Sequence, residues 1–473
     1  MHRSHVVAAV LAVALLAPAA ALAADTPWSA LSAKALSNTQ QPAILAVGDG
    51  TTQVLYHQPD GSLDAMFSRR VLGNGTVGAP VPVATFNGFD DPNLVQTPNG
   101  LLAILPGLKD PGYKNIASAT APLDGSAWTL STGDVAPLPG PYYSNSAGLA
   151  LDTTGTPFFA GGGLVHRGLD PASPNNDFQA GIGGGCCAYD SGLALDGATG
   201  AMYTAWYSNT KQQGVWIQQV DTATGAPTGP PKLMPGSVVT YKGTPSSSAA
   251  SYRTPITGRT GQPGVFIVYP GGYPAQHKVL LYRVGNPQGS TLFYAPTARI
   301  GAMAEATDAS GRLWVVWGRT DHGTDTILAR RSNPSVNVFG AARIISLPKT
   351  AKHTWSLSAA AGTNGRLSIA ANLEISPGGT GDQQVWFTEL EPALTYTTTP
   401  AALKHGKPAK LKVNVSDAGD PVAGAKVVVK NVKATTNAAG NATLSLPGLK
   451  KGAAPLKISK AGYHPVAESV TVK

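Results

Sequence analysis

The side chains able to do chemistry in this chain stand singly or in pairs just ahead of short apolar runs. They are Asp90 and Asp91, Asn145, Cys186 and Cys187, Tyr189 and Asp190, Tyr252 and Arg253, Arg299 and His353. His166 and Trp206 follow such runs in the loops that return from them. Carboxylate, amide, guanidinium and aromatic groups together suit a polar ligand with both hydroxyls and C–H faces, such as a sugar. Two enzymatic readings draw mainly on the same residues. A glycosidase needs two carboxyls about 5 to 9 Å apart, for which Asp91 and Asp190 are candidates. A polysaccharide lyase needs a base and a cation to neutralise a uronate, roles open to His166, Tyr241 or Tyr252 and to Arg253. Whether the chain is an enzyme or a binding protein stays open at this point. Calcium loops and Ser-His-Asp arrangements are not recognisable, and no metal or cofactor is expected.

Cys186 and Cys187 are the only cysteines, and they are adjacent, within GIGGGCCAYDSG. Neighbouring Cα atoms lie about 3.8 Å apart across a trans peptide, below the usual disulfide range of about 4.4 to 6.8 Å. A vicinal disulfide would be strained and would close almost no loop, so it would serve rigidity rather than stability. Such a bond is expected here, with two free thiols as the alternative. No CxxC or HxxxH motif lies nearby to make a metal site.

The elements that must position these residues repeat. GLALDGATGAMYTAWYS from Gly192 is an apolar run, an Asp/Gly turn and a second run rich in aromatic residues, and weaker copies recur along the chain. The turn glycines Gly50, Gly100, Gly155, Gly200, Gly264, Gly311 and Gly365 step by 50, 55, 45, 64, 47 and 54 residues. Short strands at a period near fifty have the spacing of propeller blades. The first run of each copy is rich in Ala and Gly, as an innermost strand crowded around a channel would be. The expectation is therefore an all-β chain with a seven-bladed β-propeller over residues 24–392. In that fold the residues leading into each first run gather at one channel mouth. WSALSAKALS, which has no repeat of its own, would supply the outer strand of the last blade.

Before the repeats, a basic start and an apolar stretch ending Ala21-Leu22-Ala23 read as a secretory signal peptide over residues 1–23, with a secreted, extracellular product. No later apolar run reaches the roughly 18 residues a membrane helix needs, so no span is expected after signal removal. The net charge of +9 is unevenly placed: residues 393–473 hold twelve lysines, no arginine and three acids, Asp417, Asp420 and Glu468. Long-range attraction to an anionic cell-surface polymer would thus belong to this C-terminal segment. No nucleic-acid-binding module is recognisable.

Two resemblances follow from quoted residues. ALDGATGAMYTAWYS and ATDASGRLWVVWG share the strand-Asp-x-x-Gly-strand-Trp rhythm and resemble the sialidase/BNR-like propeller superfamily. The full S-x-D-x-G-x-x-W box and the early arginine segment of a sialidase are missing, so the resemblance implies the fold and not sialic-acid hydrolysis. Residues 393–473 resemble bacterial Ig-like modules of the carboxypeptidase-regulatory or invasin type through Pro421-Val422-Ala423-Gly424-Ala425, Thr436-Asn437-Ala438-Ala439-Gly440 and Ala461-Gly462-Tyr463. This implies a Lys-rich Ig-like β-sandwich.

Overall fold

The computed structural model describes residues 27–32, 41–110, 113–131, 136–137, 147–161, 163–170, 175–177, 188–208, 214–237, 253–271, 276–286, 289–375 and 383–473. The expected signal peptide and Asn145, Cys186, Cys187, Tyr241 and Tyr252 lie outside the described residues. Among the described residues all regular structure is β-strand.

Seven sheets follow one another between Ala43 and Leu390, each an antiparallel meander. Their innermost strands are Ala43–Ala46, Asn93–Thr97, Gly148–Leu151, Ala188–Leu195, Ile256–Gly258, Arg299–Thr307 and His353–Ala361. The seventh sheet is completed by Ser29–Ala30, which pairs with Gln383–Leu390 through Ser29↔Phe387 and Ala30↔Trp386. WSALSAKALS thus supplies that outer strand, as its lack of a repeat leads one to expect.

Burial explains why the sheets need each other. Side chains of a strand alternate between its two faces. In Leu313–Asp321 of the sixth sheet, Leu313, Val315 and Trp317 pack against Phe266 and Val268 of the fifth sheet. Trp314 and Val316 pack against Leu367 and Ile369 of the seventh. A strand buried on both faces must be apolar throughout, which is why LWVVW runs unbroken. One apolar cluster lies between each consecutive pair of sheets, and a further one joins the seventh to the first through Leu31, Phe387, Val54 and Tyr56. The packing therefore closes into a circle around the innermost strands. Crowding there accounts for the small residues: a Cβ on Gly258 would lie 1.8 Å from the Leu195 carbonyl oxygen, and one on Gly192 would lie 2.5 Å from that of Thr254.

At the far end of the innermost strands, Asp turns hold the chain. The Asp152 carboxylate accepts the amides of Thr154 and Thr156 at 2.8 and 2.9 Å. Asp308 does the same for Ser310 and Arg312 at 2.9 and 3.2 Å. These are backbone-satisfying Asx turns.

Two further sheets form the C-terminal module. One holds Thr395–Thr399, Ala409–Asp417, Asp420–Pro421 and Asn441–Leu446; the other holds Ala402–Leu403, Lys426–Val429, Val432–Thr435, Gly452–Ser459 and Val466–Val472. Their inward residues, among them Leu411, Val413, Val427 and Ile458, make a core of their own. Arg331 fastens the module to the sixth sheet, pairing with Asp308 and, at 2.6 Å, with Asp417. Arg312 bonds Asp420 at 2.6 Å, and the Tyr463 hydroxyl donates to Asp417 at 3.2 Å. Burial raises the pKa of Asp417, against the pull of the Arg331 and Arg312 charges.

Candidate ligand-binding channel

Gln41, just ahead of the first innermost strand, is the hub of the channel mouth. Its backbone N–H donates to Asp91 Oδ1 at 2.6 Å, and its side-chain Nε2 donates to the Leu357 carbonyl at 2.5 Å. Its Oε1 accepts the Arg253 N–H at 2.9 Å. Arg253 leads into the fifth sheet, three steps around the circle from the first, so this bond reaches across the mouth. The Arg253 guanidinium completes the contact by donating to the Pro92 carbonyl. Ser358 Oγ donates to the Pro42 carbonyl at 2.6 Å, closing the first sheet to the seventh at the same level.

Below this level lies a cavity of about 250 Å³, lined on its polar side by Gln41, Asn93, Arg253, Thr257, Glu305 and Ser358. Leu149, Leu193 and Met303 give it apolar wall. Glu305 stands on the sixth innermost strand. The alternation that packs Met303 against the fifth sheet turns Glu305 the same way, towards Thr257. Neither of its carboxyl oxygens makes a hydrogen bond of good geometry among the described residues, although the Thr257 backbone N–H acts on the carboxyl. Burial pushes its pKa well above the ordinary glutamate value, only partly offset by the Thr257 backbone. Asp91 is shifted the same way: burial raises its pKa well above normal, while the Arg253 charge and the Gln41 amide oppose. Its second oxygen, Oδ2, is buried and has no partner among the described residues.

A second polar group sits on the rim between the sixth and seventh sheets. His353 Nδ1 lies 2.7 Å from Asp325 Oδ2, which also accepts the Thr354 N–H at 2.9 Å. Thr320 Oγ1 donates to Asp325 Oδ1 at 2.7 Å, and Arg299 stands opposite Thr320 in the ladder. Burial opposes ionisation of Asp325, but the bonds from His353, Thr320 and Thr354 outweigh it and lower its pKa. The fourth, sixth and seventh innermost strands each break register near the mouth, between Tyr189 and Gly192, Ile300 and Met303, and Thr354 and Ser356. Such bulges re-aim the residues ahead of them, here Arg299, His353 and the backbone of Tyr189 and Asp190.

The structure thus brings Asp91 and Arg253 together, puts Arg299 and His353 on the rim, and leaves Asp90 half-buried with its N–H bonded to the Pro106 carbonyl at 2.9 Å. Two expected positions need correction. Trp206 is fully buried in the cluster between the third and fourth sheets, because strand alternation turns its ring sideways into that interface. His166 is 1% exposed, stacked on Phe159 with ring centroids 4.7 Å apart, its Nε2 2.9 Å from the Asp170 carbonyl oxygen. Both belong to packing and not to the mouth. Glu305 and Ser358 are absent from the candidate set drawn from the sequence, whereas Gln41 stands just ahead of the first apolar run, where the sequence places a residue of the mouth. Glu305 had a signal, as the single acid inside the apolar run AMAEAT.

No family model matches the chain, and no curated protein matches it. Solved structures similar to it include a protein of unknown function from Dyadobacter fermentans DSM 18053, at 12% identity over 76% of this chain and 98% of that one, with a TM-score of 0.44. An endo-arabinase from Bacteroides thetaiotaomicron VPI-5482 shows 13% identity over 76% and 96%, with a TM-score of 0.32. A variant of the Aleuria aurantia lectin AAL in complex with Fucα1-6GlcNAc shows 10% identity over 73% and 94%, with a TM-score of 0.38. Likenesses this distant carry no argument about function, and the circular closure rests on the packing within this chain.

Proposed function

We propose that this chain is a secreted seven-bladed β-propeller of sialidase/BNR-like type, followed by an Ig-like sandwich, that binds a glycan or other small polar ligand in its channel. The circular packing of seven meanders supports the propeller, the separate core of residues 394–472 supports the sandwich, and the composition of residues 1–23 supports secretion. The observation that carries the ligand reading is Glu305, a buried carboxyl in the cavity wall whose oxygens make no hydrogen bond of good geometry among the described residues. A buried polar group left unsatisfied costs about 1 to 3 kcal/mol, which ligand hydroxyls would recover. Arg253 lines the same space as a cationic donor, and the Thr257 and Ser358 hydroxyls, whose protons go to the Gly258 and Pro42 carbonyls, line it as acceptors. The volume falls just under the roughly 300 Å³ at which drug-sized pockets begin, so one sugar ring fits the account better than a long chain.

Asp91 and Glu305 do not form the carboxyl pair that hydrolysis requires. Glycoside hydrolysis needs one carboxyl protonated and its partner ionised, which requires environments that push the two pKa values apart. Asp91 and Glu305 are pushed the same way.

Calorimetric titration of the full chain with a panel of monosaccharides and short oligosaccharides tests the reading. At least one sugar should bind, and Glu305→Ala should weaken it about tenfold to a hundredfold. Binding that survives Glu305→Ala unchanged would put the site elsewhere. Release of reducing ends from an oligosaccharide would establish the enzymatic alternative instead.

A further inference from the structure

We infer that the outer face of the terminal module's five-stranded sheet is a binding surface for a linear acidic polysaccharide, independent of the channel. The argument starts from strand register. Val428 stands opposite Lys433 on one side and Lys457 on the other, and two residues along, Lys426 stands between Thr435 and Ser459. The alternate residues Val427, Val429, Leu456 and Ile458 fill the core. Lys426, Lys433 and Lys457 therefore share the solvent face, and all three are exposed. Strand spacing and rise place their backbones within about 10 Å of one another, roughly one Debye length at physiological salt. Their fields add instead of screening one another out.

Carboxylates do not offset this charge. Asp417 is buried against Arg331 and Arg312, and Asp420 is bonded to Arg312, so the ring's arginines engage two of the module's three acids. Glu468 stands opposite Leu456, in the row of the core-facing residues and not in that of the lysines. The neighbours of the three lysines on the face are Val428, Thr435, Ser459 and Ala467. Single-stranded nucleic acid is held by aromatic stacking as well as charge, and a membrane-surface element inserts large apolar side chains. This face has neither. A flat row of ammonium groups with small polar neighbours complements a carboxylate-bearing polymer lying across the strands.

The test uses the full chain with three variants: the triple Lys426→Gln/Lys433→Gln/Lys457→Gln, the double Lys410→Gln/Lys412→Gln on the other sheet of the module, and Glu305→Ala. Binding to polygalacturonate is measured over a salt series, with duplex DNA and phosphatidylglycerol vesicles as competing probes. The inference predicts salt-sensitive binding to polygalacturonate that the triple variant weakens about tenfold or more. The double variant should weaken it only about twofold, and Glu305→Ala should leave it unchanged. Wild-type affinity in the triple variant, equal loss in the double, or tighter binding to DNA or vesicles than to polygalacturonate would each overturn the inference. Melting curves check that all variants fold, since exposed substitutions of this kind leave stability nearly unchanged.

Discussion

In the ring, Leu313–Asp321 sends Trp314 and Val316 towards one neighbouring sheet and Val315 and Trp317 towards the other. In the terminal module, Ala409–Asp417 sends Leu411, Val413 and Val415 inward and leaves Lys410 and Lys412 in solvent. A sheet covered on both sides must pair the polar groups it holds, as Gln53 is paired with Ser68 and Asn372 with Gln383. A sheet covered on one side can display them along its whole outer face. The consequence is a division of labour: the ring turns Glu305 and Arg253 to its bore, while the module's charge lies on its flanks. The two regions therefore need different signals to be read, an isolated acid in an apolar run for the first and a register of outward residues for the second.

The largest effect should come from opening an interface between ring sheets. Trp317 is fully buried and its ring lies 5.2 Å from that of Phe293. Trp317→Ala should lose about 3 to 5 kcal/mol, read from urea unfolding. A loss below about 1 kcal/mol, nearer the range of surface substitutions, would mean that the strand is not covered on both faces.

Next comes the bolt between the two regions. Arg331→Ala leaves Asp308 and Asp417 buried without their shared counter-charge, a change that costs about 3 kcal/mol or more. Calorimetry should then resolve a separate module transition, and limited proteolysis should release the module. A single unchanged transition would show that the apolar contacts suffice.

A smaller, pH-dependent effect is expected at Glu305. Its folded pKa is raised by burial, so its contribution to stability is complete below the unfolded pKa and is lost as pH rises through the folded value. Glu305→Gln, which cannot ionise, should melt above wild type on the alkaline side, with the gap closing as pH falls towards the ordinary glutamate range. Parallel melting curves at all pH values would contradict the buried placement. Smallest of all, Lys412→Gln on the module's wet face should stay within about 0.5 kcal/mol of wild type.

Much of this was legible in the sequence, for physical reasons that also mark the limits. The seven Gly turns, four of them led by an Asp, announce the ring because turn chemistry is local: an Asp at position 308 and a Gly at 311 fix the hairpin whatever surrounds them. Lead-in position was enough to bring Asp91 and Arg253 to one mouth. It failed for Trp206, since position along the chain tells which end of a strand a residue occupies but not which face its ring takes. Lead-in position also put Gln41 at the mouth, but its bonds were not legible, because its partners are 50, 212 and 316 residues away. The division between sheets buried on two faces and on one was visible in LWVVW against LKVNV, and it located the lysine face. The cysteine pair, Asn145 and Tyr252 lie outside the described residues and add nothing to this comparison.

The channel claim is tested most directly by the methyl resonances of methionine. Met303 lines the cavity, whereas Met66, Met202 and Met234 are buried in the clusters between sheets. In a ¹³C-methyl-methionine sample of the full chain titrated with a sugar that binds by calorimetry, the Met303 signal should shift in proportion to occupancy, while those three core signals stay fixed. A bound sugar that leaves Met303 unmoved would contradict a ligand site in the channel.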